Sequence, residues 1–186
     1  MREAIVLDAS VALAVLRAEP LGPWAASLLR SHALAAGRVV VPVHFWLEVA
    51  NVLVRRYRHT ATEVIDRVRV LDEFAIESVD LDRTLWLLAI ERTASLGLTA
   101  YDAAYLALAE ALDARLMTLD TSLAAAAGSR AVQLGGHASA EERAPYDARR
   151  DVAVSPSSAG AAREPGDVLA RFGEYLAELR RQALTG

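Results

Sequence analysis

The chain opens with a short apolar run, Ala4 to Leu7, that ends at Asp8, the pattern of a strand buried on both faces of a parallel sheet. A helical pattern that Ser10 can cap then runs to about Arg17 and stops near Pro20. A second helix is predicted over Gly22 to Ala36, ended by Gly37. Arg38-Val39-Val40-Val41-Pro42 is β-branched and strand-like. Residues 43–58 return to helical spacing, with Phe45, Val49, Val52 and Leu53 on the apolar side. Thr60 and Glu63 form a T-x-x-E capping box at the head of a helix reaching Phe74. A short strand over Ala75 to Val79 is followed by helices over Leu81 to Leu96 and Tyr101 to Ala111. The strand Arg115 to Leu119 ends at Asp120, a short helix runs to Ala127, and Val132 to Leu134 is a candidate last strand.

Strands alternating with helices predict an α/β fold, a three-layer α/β/α domain around a parallel sheet. In such sheets ligands gather beyond the carboxyl ends of the strands, where Asp8 and Asp120 both stand. The pattern changes after about Gly135. Residues 136–166 are rich in Ala, Ser, Gly, Pro and charge without periodicity, and read as a flexible linker. Within 167–186 a helical pattern resumes from Asp167 to Leu184, with Val168, Phe172, Leu176, Leu179 and Ala183 on one stripe. The expected organisation is a domain over 1–135, a linker over 136–166 and an amphipathic helix in 167–186.

Composition narrows the chemistry. At 186 residues, 54% apolar and 24% charged, the chain is long enough for a sizeable core and is not of disordered composition. It has no cysteine, which removes disulfides, thiolate nucleophiles and cysteine zinc sites. All 20 basic residues are arginine, so a lysine nucleophile or Schiff base is excluded and phosphate contacts fall to guanidinium groups. The net charge of −4 leaves room only for a local basic strip. No stretch reaches the roughly 20 apolar residues of a membrane span, and a cytoplasmic location without membrane association is expected.

Four acids carry the candidate chemistry. Asp8 follows the first strand, where a helix N-cap is the structural alternative. Glu48 lies in a nearly apolar helix, where a carboxylate needs a partner; a salt bridge to Arg55 or Arg56 competes with a cation. Asp102 fits the Thr99-x-x-Asp102 capping pattern and is followed by the small residues Ala103, Ala104 and Ala107. Asp120 follows the strand Leu116 to Leu119, again at an N-cap position, with Thr118 and Thr121 adding hydroxyls. Four carboxylates brought to one sheet edge repel one another, and take up protons or a cation. Oxygen ligands without His or Cys favour Mg²⁺ or Mn²⁺, ions that activate water for phosphodiester hydrolysis. The four histidines show no paired spacing; His44, one turn before Glu48, either lines the site or is a structural histidine. Asp8-Ala9-Ser10 lacks the second Asp of an aspartyl phosphatase, and no glycine-rich turn follows the first strand as a dinucleotide site requires.

Val6-Leu7-Asp8-Ala9-Ser10, the apolar helix bearing Glu48, the block Leu98-Thr99-Ala100-Tyr101-Asp102-Ala103-Ala104-Tyr105-Leu106-Ala107-Leu108-Ala109, and Leu116-Met117-Thr118-Leu119-Asp120 together resemble the PIN-domain ribonucleases. More narrowly they resemble the VapC-type toxins of type II toxin–antitoxin pairs, over roughly residues 3–135. The resemblance implies that Asp8, Glu48 and Asp102 are the core metal-binding acids, Asp120 a fourth, and Ser10 and Thr118 supporting hydroxyls. It also implies a sheet of order 3-2-1-4-5, Mg²⁺- or Mn²⁺-dependent cleavage of RNA, a homodimer, and a cognate antitoxin. Arg17, Arg55, Arg56 and Arg58 are the arginines expected to guide the RNA backbone. The chain departs from the family in continuing about fifty residues past the last strand. A housekeeping PIN-type nuclease of RNA maturation and a non-enzymatic α/β binding module are the competing readings.

Overall fold

A computed structural model describes residues 3–132. The elements are β1 (Ala4–Leu7), α1 (Ala9–Leu16), α2 (Gly22–Leu34), β2 (Arg38–Pro42), α3 (Phe45–Asn51), α4 (Ala61–Val68), β3 (Glu77–Val79), α5 (Arg83–Leu96), α6 (Ala100–Ala111), β4 (Arg115–Met117) and α7 (Thr121–Ala127). The described strands form one parallel sheet of order β3-β2-β1-β4. An isolated parallel bridge joins Leu116 to Ala131, on the side of β4 where a fifth strand was expected. The expected Val132–Leu134 strand lies mostly outside the described residues, as do the linker and the C-terminal helix.

Each strand's sequence matches its place in the sheet. Every residue of β1 is buried, as a central strand covered on both faces requires. The edge strand β3 is largely exposed and is tied to its neighbour by a fork from Arg38 to Glu77, at 2.7–3.1 Å. The core gathers on the sheet around Tyr105, Phe45, Phe74, Leu29 and Leu53. Gly22 lets α2 meet α1 closely: a Cβ there would stand 2.4 Å from the Ala14 carbonyl oxygen. Gly97 ends α5 in the left-handed conformation, as its position in the sequence predicts.

Two helices depart from their sequence pattern. The stretch expected to be one helix over 43–58 is α-helical only through Asn51 and continues as a π-helical turn over Val52–Arg56. The helix expected over 60–74 has the capping box of Thr60 and Glu63, but tightens to 3-10 geometry over Arg69–Phe74. Ala75 then breaks it with a positive φ of 47°. No helix among the described residues is long and apolar enough to cross a membrane.

Because the strands are parallel, β1, β2 and β4 end at one edge, and α1, α3 and α7 start there. That arrangement builds the site.

Candidate active site

Asp8 is the first residue past β1, and its N–H donates to the Met117 carbonyl of β4 at 3.0 Å. It occupies the N-cap position of α1, yet its side chain makes no capping bond. Both hydrogen bonds to its carboxylate fall on Oδ2, from Ser10 Oγ at 2.5 Å and Thr118 Oγ1 at 2.7 Å. The same hydroxyls accept from the next loop: Leu119 N–H donates to Ser10 Oγ at 3.0 Å, and Asp120 N–H to Thr118 Oγ1 at 2.9 Å. Ser10 is therefore a brace between Asp8 and the β4–α7 loop rather than the expected helix cap. Asp8 and Thr118 are the two buried polar side chains among the described residues.

Glu48 enters from the first turn of α3. Its partner is not Arg55 or Arg56. Tyr105 of α6 donates its hydroxyl to Glu48 Oε2 at 2.5 Å, and His44 Nε2 lies 3.8 Å from the same oxygen. His44 packs edge-on between Tyr101 and Tyr105, and its Nε2 is buried without a hydrogen-bond partner. Asp102 stands in the first turn of α6, where Thr99 Oγ1 accepts from its N–H at 3.1 Å and donates to its Oδ2 at 2.7 Å. Asp120 caps α7, accepting from Leu123 N–H at 2.7 Å. The alternative role of a helix cap is thus realised at Asp120, half realised at Asp102, and not realised at Asp8.

The electrostatics connect these side chains. Burial pushes the Asp8 carboxyl up to about 6, against the Ser10 and Thr118 hydroxyls, and the charges of Asp102 and Asp120 push the same way. Burial pushes Glu48 up to about 7, against the Tyr105 hydroxyl, with Asp8 and Asp102 adding to the rise. Asp102 is raised by burial and by Asp120, opposed by Thr99. Asp8, Glu48 and Asp102 therefore respond to one shared cluster of charge, to which Asp120 contributes. No arginine among the described residues pairs with any of them. What partly offsets the repulsion is the backbone: each acid sits at the N-terminus of a different helix, α1, α3, α6 or α7, where the peptide dipoles favour negative charge.

Such a donor set, all carboxylate oxygen and short of positive charge, fits a hard divalent cation. Among the described residues no three acidic or histidine side chains already surround one point at ligand spacing. A bound ion would have to draw the carboxylates inward.

The arginines lie elsewhere. Arg17 closes the far end of α1, about 13 Å along the helix axis from Asp8. There it pairs with Glu19 and lies 3.7 Å over the Tyr57 ring, with Arg56 5.6 Å from the same ring. Arg55 and Arg58 are exposed on the same stretch of chain. The residue that sequence reading missed is Tyr105, which is fully buried. The signal was a tyrosine one turn after Asp102 in an otherwise apolar helix, since a buried phenol must find an acceptor.

Comparison with known proteins identifies the fold that carries these residues. Similar solved structures include PAE2754 from Pyrobaculum aerophilum, 20% identical with a TM-score of 0.52, covering 72% of this chain and 92% of that one. A toxin–antitoxin complex from Klebsiella pneumoniae is 16% identical, TM-score 0.52, with 70% and 98% covered. VapC20 of Mycobacterium tuberculosis, described as a sarcin-ricin loop cleaving toxin, is 18% identical, TM-score 0.52, with 66% and 94% covered. At these identities the likeness is one of fold. No curated protein matches the sequence significantly. The PIN domain family model matches residues 5–129, a span that holds all four acids, and the chain belongs to the PIN domain family.

Proposed function

We propose that this chain is a metal-dependent endoribonuclease that hydrolyses RNA phosphodiester bonds, and that it is the toxin of a toxin–antitoxin pair. The observation that carries the proposal is the cluster of Asp8, Glu48 and Asp102, half to fully buried, mutually repelling and without an arginine partner. A structural role would be served better by neutral side chains at these positions, because unpaired buried charge is destabilising. The toxin reading is supported by the fold shared with the Klebsiella complex and VapC20.

Asp8, Glu48 and Asp102, with Asp120 beside them, would hold one or two Mg²⁺ or Mn²⁺ ions. When bound, such an ion supplies an activated water and neutralises charge on the scissile phosphate. Ser10 and Thr118 hold one oxygen of Asp8 by hydrogen bonds and leave the other for a ligand. Tyr105 does the same for Glu48. Arg17, Arg55, Arg56 and Arg58 would meet the RNA backbone further along the strand. An antitoxin would bind over the acids and supply the missing positive charge, and a second copy of the chain would complete a homodimer.

The test is cleavage of single-stranded RNA by the purified full-length chain. Activity is expected with Mg²⁺ or Mn²⁺, abolished by EDTA, and lost in Asp8→Asn and Asp102→Asn. Undiminished cleavage by either variant would overturn the assignment.

A further inference from the structure

Tyr101 directly precedes Asp102 in the first turn of α6 and is 57% exposed. Its ring meets the imidazole of His44, with centroids 5.6 Å apart at 60°. On its other side, His44 Nε2 stands 3.8 Å from the Glu48 carboxylate. One imidazole thus separates an exposed aromatic ring from the acids, and it covers at most one of that ring's two faces. Single exposed aromatics are ordinary on protein surfaces. This one is held ring to ring against the same side chain that touches the acid cluster.

We propose that Tyr101 is a stacking surface for the nucleobase beside the scissile phosphate, and that His44 sets its distance from Glu48. The inference rests on the ribonuclease reading and specifies its substrate: RNA whose base at that position is unpaired. A base within a duplex is already stacked on both faces and offers none to a side chain. Stacking on an aromatic ring tolerates any base, so the subsite selects single-stranded structure rather than sequence.

Binding of a short, fluorescein-labelled, single-stranded oligoribonucleotide of mixed sequence tests this by anisotropy, with Ca²⁺ in place of Mn²⁺. The proteins are the full-length wild type, Tyr101→Phe, Tyr101→Leu and Tyr101→Ala, each checked for folding by circular dichroism. Tyr101→Phe keeps the ring and should keep most of the affinity. Tyr101→Leu and Tyr101→Ala should weaken binding about tenfold, the usual effect of removing one base–aromatic stack. The gap between the Phe and Leu variants should close when the oligonucleotide is annealed to its complement. Equal affinity of the Phe and Leu variants for the single strand would overturn the stacking site, whether or not the wild type cleaves RNA. If the ring dependence holds but the wild type does not cleave in Mn²⁺, the stacking site stands and the nuclease reading falls. No binding by the wild type would overturn both.

Discussion

The hydroxyl of Tyr105, on a fully buried ring, donates to the half-buried carboxylate of Glu48. That single atom links the carboxylate on α3 to the helix that carries Asp102. Tyr105→Phe should lower stability by about 1 kcal/mol, the usual net worth of a hydrogen bond. Because Glu48 is then held by packing alone, RNA cleavage should fall by about tenfold or more, as when a ligand loses its orienting partner. Parallel melting and cleavage assays check both; a stability loss with full activity would make Tyr105 purely structural. The raised acids bring a second consequence. In metal-free protein Asp8 and Glu48 bind protons more tightly folded than unfolded, so folding takes protons up. The penalty is absent below about pH 4, grows as pH rises through 6 to 7, and is complete above that. In EDTA, Asp8→Asn should therefore melt higher than wild type at pH 8, by on the order of 2 kcal/mol, and gain little at pH 4.5. Added Mn²⁺ should stabilise the wild type and not the variant. A difference between the two proteins that is flat across that pH range would contradict the proposed electrostatics.

The capped starts and glycine stops of the helices were readable along the chain, because a cap acts over three or four residues. Thr60 with Glu63 and Gly97 at the end of α5 are examples. Breaks inside helices were not readable. Val52–Arg56 and Arg69–Phe74 keep helical apolar spacing, and the change to π or 3-10 geometry depends on what the helix packs against. The acids show the same division. Strand ends pointed to Asp8 and Asp120, whereas Tyr105 as the partner of Glu48 is a contact across 57 residues that no local pattern carries. The left-handed stop after the 3-10 turn yields its own prediction. Ala75 is exposed with φ 47°, a conformation that costs an L side chain about 1 kcal/mol. Ala75→Gly should raise the melting temperature by a few degrees. Calorimetry showing a loss instead would mean that the alanine methyl is packed.

Helix α5 gives the described residues an unusual surface. Over fourteen residues it buries only Ala89, and it leaves Trp86, Leu87 and Ile90 each 44–50% exposed. Arg92 anchors it to α6 through a fork to Glu110 at 2.9–3.1 Å. An apolar strip of this kind is a surface that a second copy of the chain would cover in the proposed homodimer. Replacing Trp86 and Ile90 together by Glu should shift the chain from dimer to monomer in sedimentation with little change in melting temperature. A wild type that sediments as a monomer would remove the homodimer from the proposal.

The order β3-β2-β1-β4 also sets when the site can exist. The central strand is made first, but its hydrogen-bonded neighbour β4 lies about a hundred residues later: Ile5 pairs with Arg115, and Thr118 reaches back to Asp8. Asp8 therefore has only its neighbour Ser10 to brace it until synthesis has passed Thr118, and the loop-closure entropy of that pairing falls late in folding. A nascent chain carrying Asp8, Glu48 and even Asp102 is still only a collection of acids. The acid cluster is closed only by the last of the described strands, so on the proposed ribonuclease reading the growing polypeptide would stay inert beside the RNA it is made on until β4 is in place.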